Sequence, residues 1–244
     1  PGPSRPGPAA RSPFRDIARL TVPIPSSPPQ TTPKTGSLPT SRNRQQWWPA
    51  PRRSPTSLTS RSGEIAIALG FGPVMVMGAH YALTSPLHNN NLSSWNWVEA
   101  LIASVPIGIL VMLIVWINQF QDAPSDAAVG KNTWVVRTAV EDGWMRLEKP
   151  LSLYKQFMIE AFIAVGVIGV ISFFTDYGTV YAFIALLPVI LVWKAFKMAD
   201  EWMIKWNNPD ADRQKVPYEL LLVNVSTIGI HLLTGILLSV SYIL

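Results

Sequence analysis

Five long stretches of this chain are almost free of polar positions: Ile65–Leu83, Val98–Phe120, Phe157–Phe174, Val180–Met198 and Leu220–Leu244. Each approaches the ~20 residues that a helix needs to cross ~30 Å of hydrocarbon. A water-soluble helix would carry a polar stripe on every turn, and Leu101–Ile117 and Ala161–Phe173 carry almost none. The pattern predicts an all-α integral membrane protein, a bundle of about five transmembrane helices beginning near Gly63. Before that point, residues 1–61 show neither a helical nor a strand period.

The linkers between these stretches alternate in charge. Linkers 84–97 and 175–179 hold no Lys or Arg. Linker 121–156 holds Lys131, Arg137, Arg146, Lys149 and Lys155, and linker 199–219 holds Lys205, Arg213 and Lys215. By the positive-inside bias, these two basic linkers face the cytoplasm or its equivalent compartment. A cell membrane of a bacterium or archaeon fits, and an organelle membrane is the alternative. Gly70, Gly72 and Pro73 predict a kink or close backbone approach in the first span. Gly166, Gly169, Gly229 and Gly235 predict close helix packing. Trp95, Trp97, Trp193, Trp202 and Trp206 are expected in an aromatic belt at the membrane interfaces.

Composition separates two regions. Residues 1–61 contain 14 of the 22 prolines and ten of the 20 Lys/Arg against one acid, Asp16, a net charge of +9. Residues 62–244 carry ten Lys/Arg and 14 acids, a net −4. The basic balance therefore belongs to the first quarter and does not mark a nucleic-acid surface. Residues 1–61 read as a disordered Pro/Arg/Ser-rich segment, too poor in apolar residues to offset backbone entropy. Three accounts fit it: a tail, a transit peptide, or translation from the wrong frame. The chain starts at Pro1 and its first methionine is Met75, which suggests processing or a fragment. Without cysteine, disulfides and thiolate metal sites are excluded.

The chemistry concentrates after the second span, in N-Q-F-Q-D-A-P-S-D-A-A-V-G-K-N-T-W-V-V-R, Asn118 to Arg137. Asn118, Asp122 and Asp126 are spaced i, i+4, i+8, one stripe if the helix is continuous. Pro124 argues for a helix that ends near Gln121 and restarts at Pro124. Magnesium is commonly held by one or two carboxylates plus phosphate oxygens. Lys131 offers a point charge to a phosphate and Arg137 a planar fork. The bland reading is that acids past a helix end are simply solvated.

The spacing N-x-x-x-D-x-x-x-D-x-x-x-G-K-x-T-x-x-V-R resembles the second aspartate-rich motif of the UbiA-type membrane prenyltransferases. Gly63–Gly78 and Asn224–Leu238 are similar to the branch that prenylates 1,4-dihydroxy-2-naphthoate in menaquinone synthesis. The resemblance implies a nine-helix bundle in which two acidic motifs bind Mg²⁺ and a polyprenyl diphosphate. An allylic carbocation then alkylates an aromatic quinone precursor. It also implies roles: Asp122 and Asp126 as metal ligands, Asn118 as their support and a diphosphate contact, and Lys131 and Arg137 on the diphosphate. Asp122, Asp126 and Lys131 would be the catalytic set. The lipid bilayer is a partner, nucleic acid is not, and homo-oligomerisation is left open.

The match is partial. The five spans correspond to the last five of nine helices, and N-D-x-x-D-x-x-x-D occurs nowhere in the 244 residues. Residues 62–244 thus read as the C-terminal part of such a domain, expected to be inactive alone. A non-catalytic half-bundle or lipid-binding subunit is the alternative. A transporter is the third reading, disfavoured because the acids lie at a span end rather than mid-membrane. His80 and His231 read as satisfied core residues, and His88 is isolated. Glu99 and Glu160 are expected near helix starts. No phosphate-binding loop or dinucleotide fingerprint is present.

Overall fold

The computed structural model describes residues 63–84, 95–141, 144–208, 210–212 and 215–244. Residues 1–61, expected to be disordered, lie outside the described residues, as do His88 and Arg213. Among the described residues, five helical segments are long and apolar enough to span a membrane: Gly63–Thr84, Trp97–Ala128, Glu148–Ile171, Val180–Asn207 and Val216–Ser241. Helices dominate because hydrocarbon offers backbone groups no outside partner, so each must be bonded within its own segment. One antiparallel pair, Val140–Glu141 with Trp144–Met145, is the sole strand structure among the described residues.

The first span is α1 (Gly63–Leu69), a π-turn at Gly70–Val74 that contains Pro73, and α2 (Met75–Thr84). The predicted interruption at Gly70, Gly72 and Pro73 is this π-turn, where proline lacks the amide a regular helix needs. Next come α3 (Trp97–Ala128), the short α4 (Trp134–Ala139) and α5 (Glu148–Ile171). A 3₁₀ segment, Val180–Leu186, leads into α6 (Val189–Asn207), and another, Val216–Leu220, leads into α7 (Leu221–Ser241).

α3 is the central element, packed against α1, α2, α5 and α7. Its Leu110, Leu113, Trp116, Ile117 and Phe120 are buried and meet Tyr154 and Met158 of α5, Trp202 of α6 and Val223 and Ile230 of α7. A smaller cluster lies at the other end, where Val165 and Ile168 meet Ala182, Ala185 and Leu238. Polar bonds join the helices inside these contacts. Tyr154 Oη and Thr227 Oγ1 lie 2.7 Å apart, and Trp202 Nε1 donates to the Val216 carbonyl at 2.7 Å. Large apolar side chains such as Ile163, Phe174, Leu232 and Ile236 point outward, as lipid-facing positions do.

Several expectations change. Trp202 and Trp206 are buried and stacked on each other with ring centres 5.6 Å apart, so they belong to the core. They are one turn apart on α6, which runs past the predicted end at Met198 and keeps that face inward. Trp97 and Trp193 are exposed, Trp97 at the start of α3 and Trp193 within the Val180–Asn207 span. α5 starts at Glu148, nine residues before the apolar stretch, so Glu160 sits mid-helix, where Gln156 donates to it at 2.8 Å. Gly169 does admit a close neighbour, the Phe183 ring, but a methyl at Gly166 or Gly229 would meet nothing within 4 Å. A close backbone crossing instead joins Gly72 to Gly108.

Candidate diphosphate and metal site

α3 runs unbroken through Pro124 to Ala128, so the predicted break after Gln121 is absent. Pro124 sits in the penultimate turn, where the missing amide costs one helical bond, and Ala123 and Pro124 are buried against the bundle. Continuity makes Asn118, Asp122 and Asp126 a single stripe, with neighbouring Cβ atoms about 5–6 Å apart. The stripe descends from exposed to buried. Asn118 and Asp122 are exposed, and Asp126 is 8% exposed.

The turn after α3 accounts for the G-K-x-T spacing in local terms. Gly130 has φ +76°, the left-handed conformation that favours glycine. Lys131 N–H donates to the Asp126 carbonyl at 2.8 Å, and Gly130 N–H donates to the Ala127 carbonyl at 3.2 Å. This pair of bonds is a Schellman stop. It reverses the chain and brings the Lys131 ammonium to 3.1 Å from both carboxylate oxygens of Asp126. The hydrogen bond goes to Oδ1. Oδ2 is buried and has the charge nearby but no aligned donor. Thr133 then caps α4, its hydroxyl accepting from Val136 N–H at 3.3 Å. Replacing Gly130 by valine should therefore lower stability by about 1–2 kcal/mol, the left-handed penalty for a residue with a Cβ. Thermal denaturation in detergent checks this, and an unchanged midpoint would contradict it.

The other members of the motif are less tightly held. Asp122 has no side-chain partner among the described residues. Arg137 lies exposed in the last turn of α4 and makes no ion pair with a described residue. Asn118 Oδ1 accepts from Asn224 Nδ2 at 2.7 Å, tying α3 to α7. Asn224 is buried and had no role assigned from the sequence; only its position in a polar-poor helix could have flagged it. His80 is satisfied, its Nδ1 accepting from Trp95 Nε1 at 2.8 Å. His231 is not: its Nδ1 is buried and has no partner among the described residues.

No group of three or more His, Asp or Glu side chains converges among the described residues. A hard divalent cation would find two carboxylates one turn apart, one of them with a buried, unbonded oxygen. That donor set fits Mg²⁺, which keeps much of its shell for water and phosphate oxygens. An apolar groove of about 530 Å³ lies elsewhere, lined by Ile107, His231, Gly235, Ile236 and Tyr242 among others. Ile107 is about 28 Å along α3 from Asp126. The groove suits hydrocarbon and is remote from the charged stripe.

Residues 56–215 match the UbiA prenyltransferase family, which is well over half of the chain. No curated protein and no solved structure matches.

Proposed function

The chain belongs to the UbiA prenyltransferase family, multi-pass membrane enzymes that prenylate aromatic acceptors, and from that premise we propose that Asp122 and Asp126 bind Mg²⁺ and the diphosphate of a polyprenyl donor. The observation that carries this reading is the Asp122–Asp126 stripe closed by Lys131 at the end of a membrane span. We take the acceptor to be 1,4-dihydroxy-2-naphthoate, supported by the likeness of Gly63–Gly78 and Asn224–Leu238 to that branch.

In this reading each residue has a physical task. Asp122 presents a carboxylate unpaired among the described residues, and Asp126 presents Oδ2. Lys131 holds Asp126 while the site is empty and turns to phosphate oxygens when they arrive, a point charge on a flexible stem. Arg137 supplies a second, planar cation. Asn118, held by Asn224, fixes the upper end of the stripe. Magnesium, when bound, acts as a Lewis acid that stabilises charge on the departing diphosphate. The C–O bond to the prenyl group breaks with its electron pair staying on diphosphate. Lys131 and Arg137 then face more negative charge than before, so they stabilise the transition state more than the ground state. A ring carbon of the acceptor supplies the pair for the new C–C bond, and the group that carbon carried, a proton or a carboxyl group lost as CO₂, leaves its bonding pair to the ring and restores aromaticity.

The 244 residues hold one such acid pair. In this reading Asp122 and Asp126 bind Mg²⁺ and pyrophosphate on their own, while transfer at normal rates needs a second pair on another segment or chain, so such transfer by these residues alone would contradict that part. The acceptor is tested in a host lacking its own naphthoate prenyltransferase. With the first acidic motif supplied, the gene should restore a prenylated naphthoquinone detectable by mass spectrometry. Prenylated homogentisate or 4-hydroxybenzoate would reassign the acceptor, and no prenylated product would contradict the function.

A further inference from the structure

Glu64 is a carboxylate at the start of the first membrane span, 3% exposed, with no cation beside it among the described residues. Burying an unpaired carboxylate is costly unless strong donors meet it. Two do. Gln119 Nε2 donates to Glu64 Oε1 at 2.9 Å, and the backbone N–H of Trp134 donates to the same oxygen at 3.0 Å. Gln119 also reaches the next residue, its Oε1 accepting from Val135 N–H at 3.4 Å. Thr133 accepts from Val136 N–H.

The first three amides of α4 thus have three separate side-chain acceptors. Two come from distant elements, α1 and the core helix α3. α4 has six residues, far too few to be stable as an isolated helix. Its start is bracketed by Lys131 and Arg137, the two cations assigned to diphosphate. Val135 and Val136 are buried, so the clamped turn leaves Arg137 on the exposed side. The amides themselves are already used and are not free to bind an anion.

We propose that Glu64 and Gln119 form a buried clamp on α4 that sets where Lys131 and Arg137 meet the diphosphate, which makes Glu64 a positioning residue. This rests on the metal–diphosphate reading of Asp122 and Asp126. The clamp acts through an acceptor oxygen rather than through net charge, since both donors are amides. Glu64→Gln retains such an oxygen, and Glu64→Ala removes it.

The test uses the full chain in lipid nanodiscs and two readouts. Hydrogen exchange monitors the amides of residues 134–136, and calorimetry monitors inorganic pyrophosphate in the presence of Mg²⁺. In Glu64→Ala, exchange should rise about tenfold and pyrophosphate affinity should fall about tenfold, the scale on which outer-shell partners act. Glu64→Gln should stay within about twofold of the parent on both. If Glu64→Ala does not fold, Gln119→Ala gives the same two readouts and should show the same changes. A residue that serves only stability would weaken the whole bundle yet leave pyrophosphate affinity intact in folded protein. Intact affinity, or amides that stay protected, overturns the clamp. If the parent chain itself fails to bind pyrophosphate, the metal–diphosphate reading falls and the positioning role falls with it. A parent that binds beside an alanine variant that binds equally well sinks the clamp alone.

Discussion

Asp126→Asn should reduce Mg²⁺-dependent binding of pyrophosphate by about 100-fold, and Asp122→Asn by a similar factor. That scale reflects the loss of one charged partner from a close, partly buried contact, about 2–5 kcal/mol. The two variants should differ without metal. Asp126 is the carboxylate that holds Lys131 at 3.1 Å, so asparagine there frees the ammonium. Metal-free affinity for pyrophosphate should then rise modestly in Asp126→Asn and by less in Asp122→Asn, whose carboxylate has no partner to release among the described residues. Isothermal titration with and without Mg²⁺ separates the two. Equal metal-free behaviour would mean that the Lys131–Asp126 pair does not gate the cation. Surface ion pairs contribute little, about 0–1 kcal/mol, and Lys131 is well exposed, so the metal-free effect is the smaller one.

The second large effect is expected in the fold. Gly108→Val should cost about 3 kcal/mol, the upper end for overpacking, because its new Cβ would sit 2.6 Å from the Ala68 carbonyl. The facing residue is no more forgiving: a Cβ on Gly72 would lie 2.8 Å from Gly108 Cα. Both obstacles are backbone and cannot rotate away. The α1–α2 span buries little else, chiefly Glu64 and Gly72, so this crossing and the Glu64 bonds hold it to α3. Damage should therefore concentrate in residues 63–84, visible as faster hydrogen exchange there. Gly166→Ala is the control. Its Cβ meets nothing, and alanine favours helix by up to about 1 kcal/mol over glycine. If both variants behaved alike, close approach at Gly108 would not be what holds the first span.

These two sites also mark what could be read from the chain. The spans were legible because hydropathy needs only local composition. So was the acid spacing, although Pro124 pointed to a break and the single stripe became visible only with α3 continuous to Ala128. The G-K-x-T run was legible as a pattern, while its local cause, a helix stop and then a cap, became visible only with Gly130's positive φ. Partners distant in sequence were illegible. Asn224 meets Asn118 across 106 residues and Glu64 meets Trp134 across 70. Neither hydropathy nor spacing encodes which helices touch. For the same reason Gly108 looked like any glycine in a span, and Trp202 and Trp206 looked like belt residues until α6 proved longer than its apolar run.

The central claim is that Asp122 and Asp126 hold a divalent ion which in turn holds diphosphate. Mn²⁺ in place of Mg²⁺ makes the contact visible, because its electron spin couples to phosphorus through a shared oxygen. Pulsed paramagnetic resonance on the chain with Mn²⁺ and pyrophosphate should show strong ³¹P coupling, and that coupling should vanish in the Asp122→Asn, Asp126→Asn double variant. Identical ³¹P coupling in parent and double variant would contradict the account, because the ion would then be held elsewhere.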